Sequence, residues 1–206
     1  MGELTITTFL TIDGVMQAPG GPTEDASGGF SHGGWVFPYA DEDFGKIMVD
    51  IFSKADAFLL GLTTYEIFAG YWPKVTDPND PIAGKLNSLP KFVASRTRTT
   101  FDWRGSELVR DAAAAVPGLK KRCPGELQVH GSGELAQTLI KNDLIDEYRL
   151  LVFPVLIGTG KRLFGSGTVP AAMTLVRSAA TRAGVVLSIY RRAGELKTGS
   201  FELPEK

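Results

Sequence analysis

With 206 residues and a formal net charge of −1, the chain is sized for one well-buried core and lacks the basic excess that nucleic acid or an anionic membrane surface attracts. Its apolar runs are too short to span a bilayer, and the opening MGELTITTF has neither the basic nor the apolar region of a signal peptide. A lone cysteine, Cys123, can form no internal disulfide, so a cytoplasmic protein that binds neither membrane nor nucleic acid is expected.

Leu4 to Ile12 sets apolar residues among β-branched threonines and reads as the first strand. It leads through Thr11 into Asp13-Gly14, on residues alone either a plain turn or one wall of a site. Residues 14–38 form a long loop with seven glycines, and such loops inside a domain are lids, binding loops or disordered segments. Phe30, Trp35 and Phe37 favour a lid, because aromatic rings seek a surface to pack on, and His32 reads as a solvent-facing part of it. Asp41 to Ser53 is an amphipathic helix with Phe44, Ile47, Met48, Ile51 and Phe52 on one stripe. Asp41 can cap this helix or face a pocket from its first turn.

Ala57 to Gly61 reads as a buried strand running into Leu62, Thr63 and Thr64, where either threonine can cap a helix whose N-terminus welcomes an anion. Phe68, Tyr71 and Trp72 follow as core or as an aromatic wall. After a loop over 77–81 and a short helix around Ile82 to Ser88, the run Lys91 to Thr97 delivers Ser95 and Arg96 at a strand's C-terminal end. Ligands gather there in parallel sheets, and a guanidinium beside a hydroxyl suits a phosphate. The alternative is that Arg96 and Arg98 are simply solvated. Glu107 to Val109 is a candidate strand, and Ala112 to Lys121 a helix that Pro117 should kink or end. Cys123 has no base placed beside it and reads as incidental.

Leu127 to His130 alternates as a strand, Gly131-Ser132-Gly133 turns sharply, and a helix opens from Glu134 with Leu135, Leu139, Ile140 and Leu144 on one face. Tyr148 to Leu156 is then a second, buried strand. Strand, glycine turn, helix and strand form a βαβ unit whose helix N-terminus favours an anion, most naturally a phosphate. It is not the dinucleotide fingerprint, since Leu135 and Ala136 stand where the third glycine belongs. Met173 to Arg182 and Val185 to Arg191 read as a closing antiparallel hairpin. One domain over residues 1–194 and a polar tail over 195–206 are expected. Two histidines, His32 and His130, and one cysteine offer no metal-ligand spacing, and neither a GxSxG elbow nor a Walker loop occurs.

GSGEL at 131–135, LIDEYRL at 144–150 and PVLIGTGKRLF at 154–164 resemble the C-terminal reductase domain of bacterial riboflavin-biosynthesis enzymes, a branch of the dihydrofolate reductase superfamily. The resemblance implies an α/β domain of dihydrofolate reductase type: a mostly parallel central sheet, flanking helices and a C-terminal antiparallel hairpin. It implies NADPH as cofactor, with Gly131, Ser132, Gly133, Glu134 and Leu135 holding its pyrophosphate. Gly61, Leu62, Thr63 and Thr64 would bind phosphate, although Leu62 stands where the family has an arginine. Ser95 and Arg96 would read the 2′-phosphate. Thr11, Asp13 and Trp35 fall beside the substrate, with Asp13 the first and Asp41 the second candidate for substrate orientation or proton relay. The implied activity is reduction of a planar heterocycle, a pterin or an aminopyrimidine, by a homodimer. No zinc-deaminase motif accompanies it, so a stand-alone reductase is expected. Asp50 points away from the stripe of its helix and Asp43 lies at its flank, which departs from the carboxylate a folate reductase needs. A non-catalytic NADPH-binding sensor is the alternative.

Overall fold

β1 (Glu3–Thr11) is the axis of the sheet, with β5 (Glu126–His130) parallel on one side and β6 (Glu147–Phe153) parallel on the other. The computed structural model describes residues 2–165 and 168–201. Beyond β5 lie β2 (Ala55–Gly61), β3 (Lys91–Ala94) and β4 (Ser106–Val109), all parallel. Beyond β6 the sheet closes with the antiparallel pair β8 (Val186–Arg192) and β7 (Met173–Ala180), giving the eight-stranded order β4-β3-β2-β5-β1-β6-β8-β7. This is the mostly parallel α/β sheet with a C-terminal hairpin that the sequence predicts.

Strand alternation sorts the core into two layers. On one face Leu4, Ile6, Leu127 and Val129 pack under α4 (Ala112–Arg122) and α5 (Gly133–Lys141) through Val116, Leu119, Leu135 and Leu139. On the other, Met48, Ile51 and Phe52 of α1 (Glu42–Ser53) meet Phe58, Leu60, Phe153 and Leu187, with Leu86 of α3 (Pro81–Ser88) alongside. α2 (Leu62–Tyr71) follows β2 without a break.

Several expected boundaries move, each for a local reason. β6 stops at Phe153 rather than Leu156, because Pro154 has no N–H for the ladder, and Leu156 is left 70% exposed. α4 continues through Pro117 to Arg122, so the proline neither ends nor breaks it. Neither Thr63 nor Thr64 caps α2: its N-cap is Gly61, with no side-chain bond. Of the expected tail, residues 195–201 carry no helix or strand, and 202–206 lie outside the described residues.

The α1 face is not wholly apolar. In register across β5, β1 and β6, Gln128 lies beside Thr5 and Glu147, and His130 beside Thr7 and Arg149. Arg149 forks onto Glu126 at 2.7 and 2.9 Å and donates Nε to Glu147 at 2.7 Å. Glu147 also accepts from Arg191, which itself grips Glu3. His130 stacks on Phe52 with centroids 4.3 Å apart and shares a 3.1 Å hydrogen bond with the Gln128 carbonyl oxygen.

Burial, aided by the charge of Arg149, holds the His130 imidazole neutral down to about pH 3. The unfolded chain binds that proton near pH 6.5, so stability is full above this value and falls as pH drops toward 3. Between pH 6.5 and 5, above the carboxylate range, the loss should be about 2 kcal/mol at one proton's slope. Urea midpoints across this window check it. The dependence should flatten in His130→Gln, and an equal slope in both proteins would remove His130 as its source.

Candidate functional site at the C-terminal edge of the sheet

Because β3, β2, β5, β1 and β6 are consecutive and parallel, their C-terminal ends form one row. In that order the row presents Ser95 and Arg96, then Gly61 to Thr64, then Gly131 to Leu135, then Thr11 and Asp13, then the turn after Phe153. Segments scattered from residue 11 to residue 160 thus become neighbours at the edge where α/β folds bind ligands.

The centre of the row is a direct junction between two turns. Gly131 and Ser132 are both left-handed, at φ 53° and 57°. That pair brings the Ser132 hydroxyl against the neighbouring turn, where it accepts from Gly61 N at 3.0 Å and donates to His130 O at 2.9 Å. In return the Ser132 N–H donates to Thr64 Oγ1 at 3.1 Å. The threonine expected as a cap is therefore a cross-brace between the starts of α2 and α5. The first intrahelical bond of α5 runs from Ala136 N to Ser132 O, which leaves the N–H groups of Gly133, Glu134 and Leu135 without acceptors among the described residues. Unpaired first-turn donors and the positive end of the helix dipole together suit a phosphate oxygen. Thr63 and Glu134 face solvent, and Leu62 is half-buried in the α1-side core.

At the β3 end Ser95 is buried, and its Oγ accepts from Arg98 N at 2.9 Å. Arg96 is exposed, and its guanidinium makes no hydrogen bond or ion pair among the described residues. Arg98, by contrast, is paired with Glu66 at 3.1 Å and Asp102 at 3.4 Å. Sequence reasoning missed Arg110, directly after β4, whose Nη1 donates to Arg96 O at 2.7 Å and Ser95 O at 3.3 Å. The strand-end rule that picked out Arg96 applies equally to an arginine closing β4.

The two carboxylates singled out for chemistry are both committed to the backbone. Asp13 accepts from Thr11 Oγ1 at 2.5 Å, Gly158 N at 2.7 Å and Ile157 N at 3.3 Å, with Arg162 at 3.6 Å. The Thr11 hydroxyl foremost brings its carboxyl down to about 2, opposed by desolvation and helped by the Gly158 and Ile157 N–H groups. It is an orienting anion that ties β1 to the turn after β6. Asp41 caps α1 by accepting from Phe44 N, and its other oxygen accepts from Ala183 N in the β7–β8 turn, both at 2.8 Å. It faces the hairpin. Trp35 is buried at 7% exposure, donates Nε1 to Gln17 O and meets Phe153 edge-on at 5.4 Å, so it packs as core.

The long loop is docked rather than loose. Gln17, another residue the sequence did not flag, accepts from Lys161 N and donates to Asp25 O and Ser27 O. Lys161 Nζ meets Asp25 at 2.7 Å. Gly160 sits so close to this loop that a Cβ would fall 2.7 Å from Val15 Cγ1 and 3.0 Å from Phe30. A small cavity of about 280 Å³ remains between Gly28, Phe30 and Thr159. A larger hollow, about 720 Å³, lies between α2, α3 and the 98–104 segment, and Arg98, Glu66 and Asp102 pair across its wall. The row of strand ends is the better candidate, because its donors lack partners. His32 is exposed and rests edge-on to Phe30 at 6.0 Å.

A mostly parallel sheet with paired helix starts along one edge and an antiparallel closing hairpin defines an α/β protein of the dihydrofolate reductase-like fold. More particularly, the chain belongs to the RibD C-terminal domain family, whose model matches residues 3–187. It is 27% identical over 187 residues to the uncharacterized protein YyaP of Bacillus subtilis (strain 168), covering 90% of this chain and 92% of that one. In structure it is similar to a Shewanella sp. PV-4 protein with a riboflavin-biosynthesis name, at TM-score 0.69 and 22% identity, covering 92% of this chain and 98% of that one. It is also similar to the diaminohydroxyphosphoribosylaminopyrimidine deaminase/5-amino-6-(5-phosphoribosylamino)uracil reductase of Thermotoga maritima, at TM-score 0.61 and 13% identity. That match takes in 93% of this chain but 57% of the Thermotoga chain.

Proposed function

We propose that the protein is a stand-alone NADPH-dependent reductase of a planar heterocycle, pterin-like or aminopyrimidine-like, working as one unit over residues 1–194 in the cytoplasm. The observation that carries this reading is the set of unpaired donors at the β3 and β5 ends of the row, braced through the β2 end by the Ser132–Gly61 and Ser132–Thr64 hydrogen bonds. Family membership supports the reductase class, and the aminopyrimidine is suggested by the name of the Thermotoga relative. No helix among the described residues is long and apolar enough to cross a membrane.

The residues present fit a dinucleotide. The first turn of α5 would take the pyrophosphate through the N–H groups of Gly133, Glu134 and Leu135, and Ser95 with Arg96 would take the 2′-phosphate. When bound, NADPH supplies the hydride, and the protein's part is to position it and exclude water. Asp13 contributes by fixing the 157–158 turn beside β1. As an ionised, hydrogen-bonded carboxylate it is a poor proton donor, so the proton for a C=N or C=O bond is assigned to water oriented at this edge.

Titration of the protein with NADPH and separately NADH, followed by quenching of its three tryptophans, tests the reading. Preference for NADPH that is lost in Arg96→Ala, followed by oxidation with a pterin or aminopyrimidine acceptor, supports it. Binding of neither dinucleotide sinks it. The second reading, an NADPH-binding sensor, is favoured by the commitment of both Asp13 and Asp41 to backbone donors. Tight NADPH binding with no oxidation by any acceptor would select it.

The working form is proposed to be a homodimer joined through the outer part of the sheet. α4 and α5 cover β1 and β5, but no residue of β7 or β8 joins their core cluster. On that uncovered side Tyr148, Tyr190 and Leu175 lie in register, and Met173, Leu175, Val186 and Phe164 are 40%, 50%, 41% and 47% exposed. The patch has no charge at its centre, as a surface meeting its own copy about a twofold axis needs. Sedimentation should give a dimer at micromolar protein and a monomer for Leu175→Glu. A monomeric wild type would dismiss the interface.

A further inference from the structure

We propose that the acceptor taken at the β1–β6 end of the row is an uncharged planar heterocycle bearing no phosphate, a choice of substrate class that rests on the reductase reading above. This end is framed by three segments around the turn after β6. Ile12 N donates to Val155 O at 3.0 Å, and Tyr39 Oη donates to Pro154 O at 3.5 Å. Gly184 of the β7–β8 turn lies so near that a Cβ there would fall 3.5 Å from Pro154 Cγ. Tyr39 also meets Phe153 edge-on at 6.2 Å, so the turn over 37–39 sits on the end of β6. The rim these segments build is apolar: Ile12, Phe37 and Leu156 are 62%, 83% and 70% exposed. One exposed apolar side chain is ordinary, but three on adjoining segments at a single strand end mark a place where a ligand is met.

Charge separates this end from the rest of the row. On the segments that frame it, each lysine and arginine has a carboxylate against it. Lys161 pairs with Asp25 at 2.7 Å, and Lys46 with Glu42 at 2.7 Å. Arg162 donates to Gly158 O at 3.2 Å and lies 3.6 Å from Asp13, while Arg182 pairs with Asp43 at 2.9 Å. Asp41 adds a further carboxylate, held by backbone N–H groups, and His32 offers one imidazole set edge-on to Phe30. A phosphomonoester near neutral pH carries close to two negative charges. Placed here, it would have to draw a cation away from its carboxylate or sit beside Asp13 uncompensated, and both weaken binding. A neutral ring meets no such penalty and covers apolar side chains that water otherwise touches. The row thus sorts ligand groups by charge, with phosphates at the β3 and α5 end and a neutral ring between β1 and β6. The chemistry stays a two-electron reduction, in which the ring gains the nicotinamide hydride and one proton from water, leaving NADP+ and hydroxide.

The test is equilibrium binding to the full chain with NADP+ present, read by tryptophan quenching or calorimetry. The probes are two matched pairs: an aminopyrimidine ribonucleoside with its 5′-monophosphate, and dihydroneopterin with its monophosphate. In at least one pair the phosphate-free member should bind about 10-fold tighter or more. Leu156→Arg sets an unpaired guanidinium on the rim at an exposed position, and should narrow that gap by strengthening the phosphorylated member alone. Leu196→Arg adds the same charge at an exposed residue beyond the hairpin, and should leave the gap unchanged. A phosphorylated member that binds as tightly as its neutral partner in both pairs, or tighter, would overturn the assignment. So would a gap that the two arginine variants leave alike, or failure of all four probes to bind. Any of these with NADPH still bound leaves the cofactor part of the reductase reading standing, whereas a wild type that binds neither NADPH nor NADH removes both.

Discussion

Arg149→Leu is expected to cost about 3–5 kcal/mol of folding stability, the usual penalty for breaking a buried ion pair from one side. The Arg149 side chain is 3% exposed, and those of its partners Glu126 and Glu147 are 16% and 7% exposed. Removing the guanidinium leaves Glu126 with the Gln128 amide as its remaining side-chain partner, and Glu147 with Arg191. A carboxylate stripped of its counter-ion beneath a helix must either desolvate unpaired or take up a proton. Urea unfolding at pH 7 gives the number directly. Arg149→Leu combined with Glu126→Gln should be less damaged than Arg149→Leu alone, because the second change removes the stranded charge. If the double variant were instead the sum of two losses, the pair would not be coupled. A single-variant loss below about 1 kcal/mol would mean that water reaches the network and that it behaves as a surface ion pair.

That network also shows where the sequence stops being legible. Leu127 to His130 alternates on β5 as a half-buried strand does, and the apolar run Tyr148 to Leu156 marks β6, with Glu126 and Glu147 just outside the expected bounds. Alternation cannot tell a solvated polar face from one that a helix will cover. The apolar stripe of α1 was plain, but its docking over β5, with Gln128 Nε2 donating to Ile51 O at 2.7 Å, depends on partners 77 residues apart. The strand ends Gly61 and Gly131 are legible because a strand that ends on small residues ahead of a helix is a local signal, and Ser95 because a serine and an arginine together close a short apolar strand. Their order along the edge is not, since it follows from crossovers that no short window contains. Asp13 after the first strand and Asp41 at the first turn of a helix are legible as carboxylates at element ends. What each carboxylate does there is set by N–H groups at Gly158 and Ala183, more than a hundred residues away. Ser132 shows the same division: a sharp turn was legible in GSG, whereas the serine taking a left-handed conformation alongside Gly131 was not.

Ser132→Val is accordingly expected to weaken NADPH binding about 100-fold with the fold retained. A β-branched residue at φ 57° is disfavoured by at least the ~1–2 kcal/mol that left-handed backbone costs an ordinary side chain. Losing the hydroxyl also leaves the half-buried Gly61 N–H without its acceptor, a further ~1–3 kcal/mol. Together these depopulate the turn that aims Gly133, Glu134 and Leu135 at the ligand, and apparent affinity falls with the population of the competent turn. Ser132→Gly separates the two contributions. Glycine takes the left-handed conformation readily, so only the lost hydrogen bond should appear, as a roughly 10-fold weakening. Titration of both variants with NADPH decides between them. Equal losses in the valine and glycine variants would assign the site to the hydroxyl alone. Unchanged affinity in both would show that the α5 turn does not hold the dinucleotide, and would shift the search to the Ser95–Arg96 end of the row.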